Sequence, residues 1–238
     1  MTETKLPGHP VGRKFLLWLL GLLMKLLLRL EVVCPENIPA TGPVILIINH
    51  IAFLDPILVC GISSRPVTPV AKREAFDSFF IGPIMKIYGA IPVRRGEPDL
   101  KAIRDMLRVL EEGGVVLLAP EGTRSPTYQM QPAKAGIALL ARRSGAIITP
   151  VGISGTHRLK SYWTRLRRAP IRLQVGQPFH LRQVSANGRA SRAELAVMTD
   201  EIMYRLAAQL PPALRGVYDD LEQATEEYIT DAISRSIR

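Results

Sequence analysis

The stretch VILIINHIAFLDP, residues 44–56, predicts both the fold and the place of a functional site. Its first five residues are apolar and mostly β-branched, and they follow the turn formers Gly42 and Pro43. Such a run is typical of a strand that is buried on both faces of a sheet. His50 then leaves the carboxyl end of this strand, which is the edge where open α/β sheets place their ligands.

Four residues separate His50 from Asp55, a spacing that lets a tight turn bring the carboxylate back to the imidazole. A carboxylate bonded to one ring nitrogen would fix the tautomer and leave the other nitrogen free to remove a proton from a hydroxyl. A simpler interpretation makes Asp55 a helix N-cap before Pro56 and His50 a turn residue. The pair alone does not decide between the two.

The composition indicates one sizeable α/β domain with a basic surface. The 238 residues can bury a substantial core, and Lys plus Arg exceed Asp plus Glu by 31 − 21 = 10. A surface of this charge attracts lipid head groups, phosphorylated substrates or nucleic acid. Cys34 and Cys60 indicate reduced thiols rather than a disulfide framework. The four histidines lack ligand spacing, so no metal site is expected.

The segment 1–30 predicts a polar leader followed by an amphipathic helix that attaches the chain to a membrane. Residues 15–24 are apolar, but Lys25 and Arg29 interrupt the run short of the ~20 apolar residues that a spanning helix needs. On a helix these cations share a stripe with Trp18, which suits anionic head groups. The segment lacks a signal-peptide cleavage site, and a buried core helix would need cover on nearly all sides. We therefore expect a peripheral or monotopic protein at the cytoplasmic face of the cell membrane.

The remaining sequence alternates strand and helix patterns, which favours one α/β domain over 31–210 with a mostly parallel or mixed sheet flanked by helices. Residues 76–88, with Gly82-Pro83 inside them, predict a broken or kinked helix. A capping box at Ser191 and Glu194 begins the last long helix. The tail 211–238 is expected to be helical. Further strands are predicted over 67–71, 89–95, 115–119, 146–153 and 171–175, and further helices over 56–62, 99–112 and 134–143.

A second polar loop, residues 120–125, follows another predicted buried strand and has the parts of a phosphate clamp. Arg124 supplies a fork of donors, Thr123 a hydroxyl, and Gly122 lets backbone amides approach. The alternative is a surface turn in which Glu121 and Arg124 pair with each other or with solvent. In a parallel sheet, this loop and His50 would face one cleft.

Two other classes of protein are disfavoured. No Gly-x-Ser-x-Gly pentapeptide occurs, so a nucleophile-elbow hydrolase is not expected. The basic segment 157–168 contains Tyr162 and Trp163 but no recognisable nucleic-acid module, so nucleic acid is not an expected partner. Lipid or cofactor phosphates are a better match for this segment, and an ordinary solvated loop is the default interpretation.

In combination, these motifs resemble those of the lysophospholipid acyltransferase family over about residues 42–178. Lys72 lies where the family often has a lysine near the site. The resemblance implies a fold like that of glycerol-3-phosphate acyltransferase. The four motifs, in the family's order, are Asn49-His50 with Asp55, Gly89 to Arg95 with Arg95 at the arginine position, Glu121-Gly122-Thr123-Arg124, and Thr149-Pro150-Val151.

This resemblance implies transfer of a fatty acyl group from acyl-CoA or acyl carrier protein to the free hydroxyl of a lysophospholipid. The expected acceptor is 1-acylglycerol-3-phosphate, the product is phosphatidic acid, and no bound cofactor is needed. His50 would be the base and Asp55 its orienting partner. The acceptor oxygen is the nucleophile, which explains the absence of a protein nucleophile.

The same resemblance suggests roles for the other motif residues. Asn49, with backbone amides near Pro150 and Val151, would stabilise the oxyanion or position the site. Independently of the resemblance, the apolar residues 76–88 are a candidate wall for an acyl-chain pocket, with ordinary core packing as the alternative. The residues expected to bind substrate are Glu121, Gly122, Thr123, Arg124, Arg95 and Lys72.

The motifs leave the acceptor open, because an ornithine lipid, a glycolipid or another lysophospholipid would use the same chemistry. A peripheral lipid-binding protein without turnover is an alternative from another class. The intact pair of His50 and Asp55 argues against that alternative.

Overall fold

The computed structural model describes residues 9–94, 99–182 and 190–232. Within these ranges the chain forms a nine-stranded mixed sheet between two layers of helices. The α-helices are α1 (Pro10–Leu27), α2 (Asp55–Ile62), α3 (Ile81–Tyr88), α4 (Leu100–Glu111), α5 (Gly136–Ser144), α6 (Leu159–Trp163) and α7 (Arg192–Ala207). The strands are β1 (Leu28–Val33), β2 (Val44–Ile48), β3 (Val67–Lys72), β4 (Ile91–Val93), β5 (Val115–Leu118), β6 (Ile147–Ser154), β7 (Ala169–Val175), β8 (Phe179–Leu181) and β9 (Ile229–Asp231).

The strand β2 has the bounds that the sequence predicts, and it lies inside the sheet between β5 and β6. Ile45 and Ile47 join the core that contains α4, α5 and α7. Val44, Leu46 and Ile48 join the core of the opposite face, with α1 and α2. Because successive side chains of a strand point to opposite faces, burial on both sides explains why the run is continuously apolar.

The strand directions bring several chain segments to one edge of the sheet. In the order β6, β2, β5, β3, β4 all neighbours are parallel, so their carboxyl ends share an edge, here called the carboxyl edge. β7 runs antiparallel to β6, and β1 runs parallel to β7. The register opposes Leu28 to Ala169 and Ser154 to Arg172. The end of α1 and the start of β7 therefore lie at the same edge as His50.

The N-terminal helix differs from its expected bounds of residues 15–30. It begins at Pro10, ends at Leu27 and continues directly into β1. A leucine-rich run is compatible with helix or strand, and the backbone pairing of β1 with β7 decides for strand. Arg29 consequently lies on β1 and not on the helical stripe. No helix among the described residues is long and apolar enough to cross a bilayer.

The broken or kinked helix predicted over residues 76–88 is present only in its second part, because α3 begins at Ile81. Gly82 and Pro83 lie in its first turn, where proline loses no helical hydrogen bond. A side chain at residue 82 would have its Cβ 2.2 Å from the carbonyl oxygen of Phe76, so this close approach requires glycine. The Gly-Pro pair therefore starts a helix instead of bending one.

The tail is predicted to be helical, and over its described residues 211–232 it forms three short 3-10 helices before β9 pairs with β8. β1 begins three residues before the predicted domain bounds of 31–210, and β9 lies beyond them. The other predicted elements occur within a few residues of their expected bounds, and the capping box at Ser191 and Glu194 is present.

Candidate active site

The turn after β2 brings the imidazole of His50 to the carboxylate of Asp55. His50 Nδ1 lies 3.2 Å from Asp55 Oδ2, and the Asp55 side chain is fully buried. The imidazole is 12% exposed, and its Nε2 makes no hydrogen bond within the described ranges. With Nδ1–H donating to Asp55, Nε2 carries the lone pair that can accept a proton.

A single oxygen of Asp55 holds this turn together. Besides the imidazole, Oδ2 accepts the backbone N–H groups of Ile51 at 2.7 Å and Ala52 at 2.6 Å. These amides precede α2, whose N-cap residue is Leu54 and has no side-chain cap. The interpretation of Asp55 as an N-cap is therefore wrong. The carboxylate instead closes the turn that aims His50.

The second polar loop, which follows the neighbouring strand β5, forms hydrogen bonds with the backbone of His50. Glu121 accepts the His50 N–H at 3.2 Å through one oxygen and the Gln131 N–H at 3.1 Å through the other. Ser125 donates its N–H to the His50 carbonyl at 2.8 Å. Burial raises the pKa of Glu121 to about 7; its two backbone hydrogen bonds oppose this rise, and the charge of Asp55 adds to it. Glu121 is thus a buried brace between two loops.

Asn49 fixes the end of β2 to β6. Its side-chain oxygen accepts the Ile153 N–H at 2.8 Å, and its amide donates to the Ile153 carbonyl at 3.0 Å. Pro150 and Val151 lie inside β6, opposite β2, and line neither side of the cavity described below. Proline has no N–H, so within this pair only Val151 has a backbone amide.

A cavity of about 510 Å³ opens beside His50 and is mainly apolar. Its walls come from α4, α5 and the carboxyl ends of the strands. Residues 76–88, the candidate wall, do not line this cavity, and Phe79 and Phe80 are exposed at 85% and 78%. The apolar side chains that line the cavity are Ile48, Val70, Val93, Ala102, Ile103, Met106, Leu117, Leu118, Ala119, Ile137, Leu139 and Leu140.

Comparison with known proteins gives this arrangement a family. A family model described as Acyltransferase matches residues 29–154, more than half of the chain. The chain belongs to the acyltransferase family. The match spans the His50 turn, the loop that carries Glu121, and β6.

Curated relatives of this acyltransferase carry a more specific name. It is 30% identical over 172 residues to the 1-acyl-sn-glycerol-3-phosphate acyltransferase of Bacillus subtilis, covering 72% of this chain and 83% of that protein. It is 27% identical to the Pseudomonas aeruginosa protein of the same name, covering 84% and 76%. A chloroplastic relative from Arabidopsis thaliana is 24% identical over 69% of this chain, which spans only 48% of that longer protein.

A solved structure confirms the fold. The crystal structure of the 1-acyl-sn-glycerophosphate (LPA) acyltransferase PlsC from Thermotoga maritima superposes with a TM-score of 0.58. The two share 23% identity, and the match covers 90% of this chain and 82% of that one. The predicted single α/β domain with a mixed sheet and flanking helices is therefore correct.

Two cations that the sequence did not single out lie at the cavity of this acyltransferase. Arg94 follows β4 and lines the cavity. Lys134 also lines the cavity, and its side chain lies over Gly122: a Cβ added at residue 122 would be 3.4 Å from Lys134 Nζ. Gly122 has a φ of +73°, and the space above it is filled by this lysine. The sequence does contain a signal for Lys134, because it lies just before α5. A cation at the positive end of a helix does not stabilise the helix, so its position indicates another role.

The predicted cations are distributed differently. Arg124 and Thr123 are exposed in their loop and do not line the cavity, and Arg124 has no polar partner among the described residues. Lys72 ends β3 and lies 3.7 Å from the carboxylate of Glu74. Arg95 falls outside the described residues.

Proposed function

We propose that this acyltransferase moves a fatty acyl group from a thioester donor to the free hydroxyl of 1-acylglycerol-3-phosphate, giving phosphatidic acid. The observation that carries the proposal is that His50 Nε2, which has no hydrogen bond among the described residues, lies at a mainly apolar cavity that the cations Arg94 and Lys134 also line. The names of the Bacillus and Pseudomonas relatives support the choice of acceptor.

In the proposed reaction His50 is the catalytic residue. Its Nε2 takes the proton from the acceptor hydroxyl while that oxygen forms an ester bond to the thioester carbonyl carbon. The carbon–sulfur bond then breaks, and the imidazolium returns the proton to the leaving thiolate. Asp55 is a positioning residue, since it holds the tautomer and stabilises the imidazolium without reaching the substrate. A thioester is already activated, so base catalysis and positioning suffice.

In this proposal the cavity binds the acyl chain. Apolar side chains from α4 and α5 form its walls, and its volume of about 510 Å³ suits a long alkyl group beside the base. Met106 and Ile103 lie one turn apart on α4 and face the same space. The donor is acyl-CoA or acyl carrier protein.

In this proposal the acceptor phosphate binds to the cations around the second loop. Lys134 lies directly over Gly122, Arg94 shares the cavity, and Arg124 is exposed in the same loop. A doubly charged phosphate monoester would draw these three side chains together, and the guanidinium groups can bind it bidentately.

We further propose that α1 attaches the enzyme to the cytoplasmic face of the membrane. Its outer side carries an apolar stripe at spacings of three and four residues, with Lys14 and Lys25 exposed beside it. A helix of this pattern lies in the head-group region with its cations toward anionic lipid. The residues of the stripe are Val11 (70% exposed), Phe15 (59%), Trp18 (64%), Leu22 (52%) and Leu26 (67%).

The deciding experiment is a product assay with the purified full-length enzyme. A panel of lysolipids and glycolipids is offered with acyl-CoA and, separately, with acyl carrier protein thioesters, and the lipid products are identified by mass spectrometry. We expect phosphatidic acid from 1-acylglycerol-3-phosphate as the dominant product. Preferential acylation of an ornithine lipid or another lysophospholipid would replace the proposed acceptor. Vesicle binding without any acyl transfer would favour a lipid-binding protein.

A further inference from the structure

The loop between α6 and β7 has a geometry that calls for glycine but contains leucine. The Leu166 N–H bonds to the Trp163 carbonyl at 3.0 Å, and the Arg167 N–H bonds to the Tyr162 carbonyl at 3.0 Å. These two bonds form a Schellman motif, in which the residue at the position of Leu166 takes a left-handed conformation. Leu166 has a φ of +52°, a region that strains side chains and favours glycine.

Folding of this chain gives no reason for a leucine at that position. The Leu166 side chain is 97% exposed, so it contributes no packing to either core. The residue therefore strains the backbone without contributing to the packing of either core. A contact with an apolar environment outside the protein would account for both features.

The charges beside Leu166 indicate what kind of environment that is. Arg165 and Arg167 flank it and are exposed, and their guanidinium groups have no polar partner within the described ranges. Trp163, at the base of the loop, is 37% exposed. An apolar tip between unpaired cations, next to an amphipathic tryptophan, matches the layering of a bilayer with anionic head groups.

The loop is attached to the helix that we propose lies in the membrane. Arg168 donates to the Leu28 carbonyl at 2.9 Å from Nε and 2.6 Å from Nη2, at the junction of α1 and β1. Trp163 reaches the Leu27 carbonyl at 3.4 Å. Arg29 and Arg168 also line a polar cavity of about 580 Å³ at this junction. The loop and the end of α1 thus form one surface at the carboxyl edge, where His50 lies.

We propose that residues 163–168, here called the arginine loop, form a second membrane contact, with Leu166 inserted among the lipids and Arg165 and Arg167 bound to anionic head groups. This inference rests on the membrane attachment proposed for α1. Two contacts at different points fix the orientation of a protein on a bilayer, whereas one helix allows rotation about its axis. The arginine loop would therefore turn the carboxyl edge and its cavity toward the lipid that supplies the acceptor.

The test places an environment-sensitive fluorophore on single cysteines of the full-length enzyme. Cys34 is exposed and Cys60 buried, so a C34S background leaves the introduced thiol as the reactive one. Labels are compared at L166C, at L26C on the stripe of α1, and at V217C, an exposed apolar position on a 3-10 turn of the tail. Each is titrated with phosphatidylcholine vesicles with and without phosphatidylglycerol.

We expect a blue shift at L166C and L26C with anionic vesicles, quenching by lipid-attached quenchers, and no change at V217C. A shift at L26C without one at L166C would overturn the proposed membrane contact of the arginine loop and leave the proposed attachment by α1 intact. Unchanged spectra at both positions would overturn both. An equal shift at V217C would indicate unspecific adsorption and also overturn the inference.

The charged part of the proposal has its own variant. R165A/R167A should lower the affinity for anionic vesicles roughly 30-fold and reduce the difference between anionic and neutral vesicles. K101A/R104A, two exposed cations on α4, is the matched control and should bind as the wild type does. An unchanged preference for anionic lipid in R165A/R167A would overturn the role of the arginines. If the enzyme bound duplex or single-stranded nucleic acid more tightly than anionic vesicles, the proposal that lipid is the partner of the arginine loop would be overturned.

Discussion

The His50 turn and the proposed lipid-facing surface are built in opposite ways. In the turn, the polar atoms bond to one another: one oxygen of Asp55 accepts three donors, and Glu121 braces two backbone amides. On the lipid-facing surface, which comprises the stripe of α1 and the arginine loop, large apolar side chains such as Trp18 and Leu166 are exposed.

This contrast teaches which property each region controls. Hydrogen bonds inside the protein fix a reactive geometry to within a fraction of an ångström, as catalysis requires. Exposed apolar area fixes no geometry but supplies free energy for transfer into a bilayer. Substitutions in the turn should therefore change turnover without changing membrane binding, and substitutions on the surface should do the reverse.

The largest effect is expected for His50→Ala. Loss of a general base typically costs about 10²- to 10⁴-fold in rate, and we expect turnover to fall within that range. Binding to anionic vesicles should stay at the wild-type level. The matched control is His157→Ala, which removes a histidine that lies after β6, outside the proposed machinery. Turnover in His50→Ala at the level of the His157→Ala control would exclude His50 as the base.

Asp55→Asn tests the positioning role and should lower kcat by roughly 10²-fold. An asparagine oxygen can still accept the two amide donors of the turn, so the fold should persist while the charge that stabilises the imidazolium is lost. KM for the acceptor should change little, because Asp55 is buried and does not reach substrate. Asp105→Asn, on the outer side of α4, is the control. A raised KM with an unchanged kcat would contradict the positioning role.

The triple variant F15S/W18S/L22S tests the other side of the comparison. Partial burial of each side chain at the interface contributes about 0.7 kcal/mol, so the three together give about 2 kcal/mol, or roughly 30-fold weaker vesicle binding. Turnover on substrate dispersed in detergent should stay near the wild-type level. The control L100S/V217S removes exposed apolar side chains elsewhere. Equal losses in both variants would show that the stripe is not a specific attachment site.

Sequence patterns predicted the features that depend on neighbouring residues. The bounds of β2 followed from five consecutive apolar residues, and the pair of His50 and Asp55 followed from a spacing that one turn can close. The capping box at Ser191 is a contact over three residues. Local hydrogen bonds and burial on both faces determine such elements, so the sequence alone indicates them.

The features that escaped prediction depend on distant parts of the chain. Leu28–Val33 is a strand only because β7 pairs with it, more than a hundred residues later. The cavity wall comes from α4 and α5 instead of the segment 76–88, since packing of these helices on the sheet decides where space remains. Lys134 enters the site because a loop folds back over Gly122. None of these contacts leaves a signature within a short window of sequence.

Glu121 supports the His50 turn from the second polar loop, and its burial shifts its pKa. Its pKa is raised to about 7 from an ordinary value of 4.5, so between these values the folded chain binds a proton that the unfolded chain does not. Stability should therefore fall as pH rises through this window and level off above it. Glu121→Gln removes the titration, so the unfolding temperature of the wild type relative to this variant should decline from pH 4.5 to pH 7.

Glu194 supplies a control of opposite sign for the same measurement. Its carboxylate accepts hydrogen bonds from Ser191, which lower its pKa below the ordinary value of 4.5, so its contribution to stability is lost only as pH falls through the acid range. Glu194→Gln should thus differ from the wild type in pH dependence below pH 4.5 and run parallel to it between pH 4.5 and 7. If Glu121→Gln also runs parallel to the wild type there, Glu121 is ionised throughout, and the brace on His50 is a permanent carboxylate.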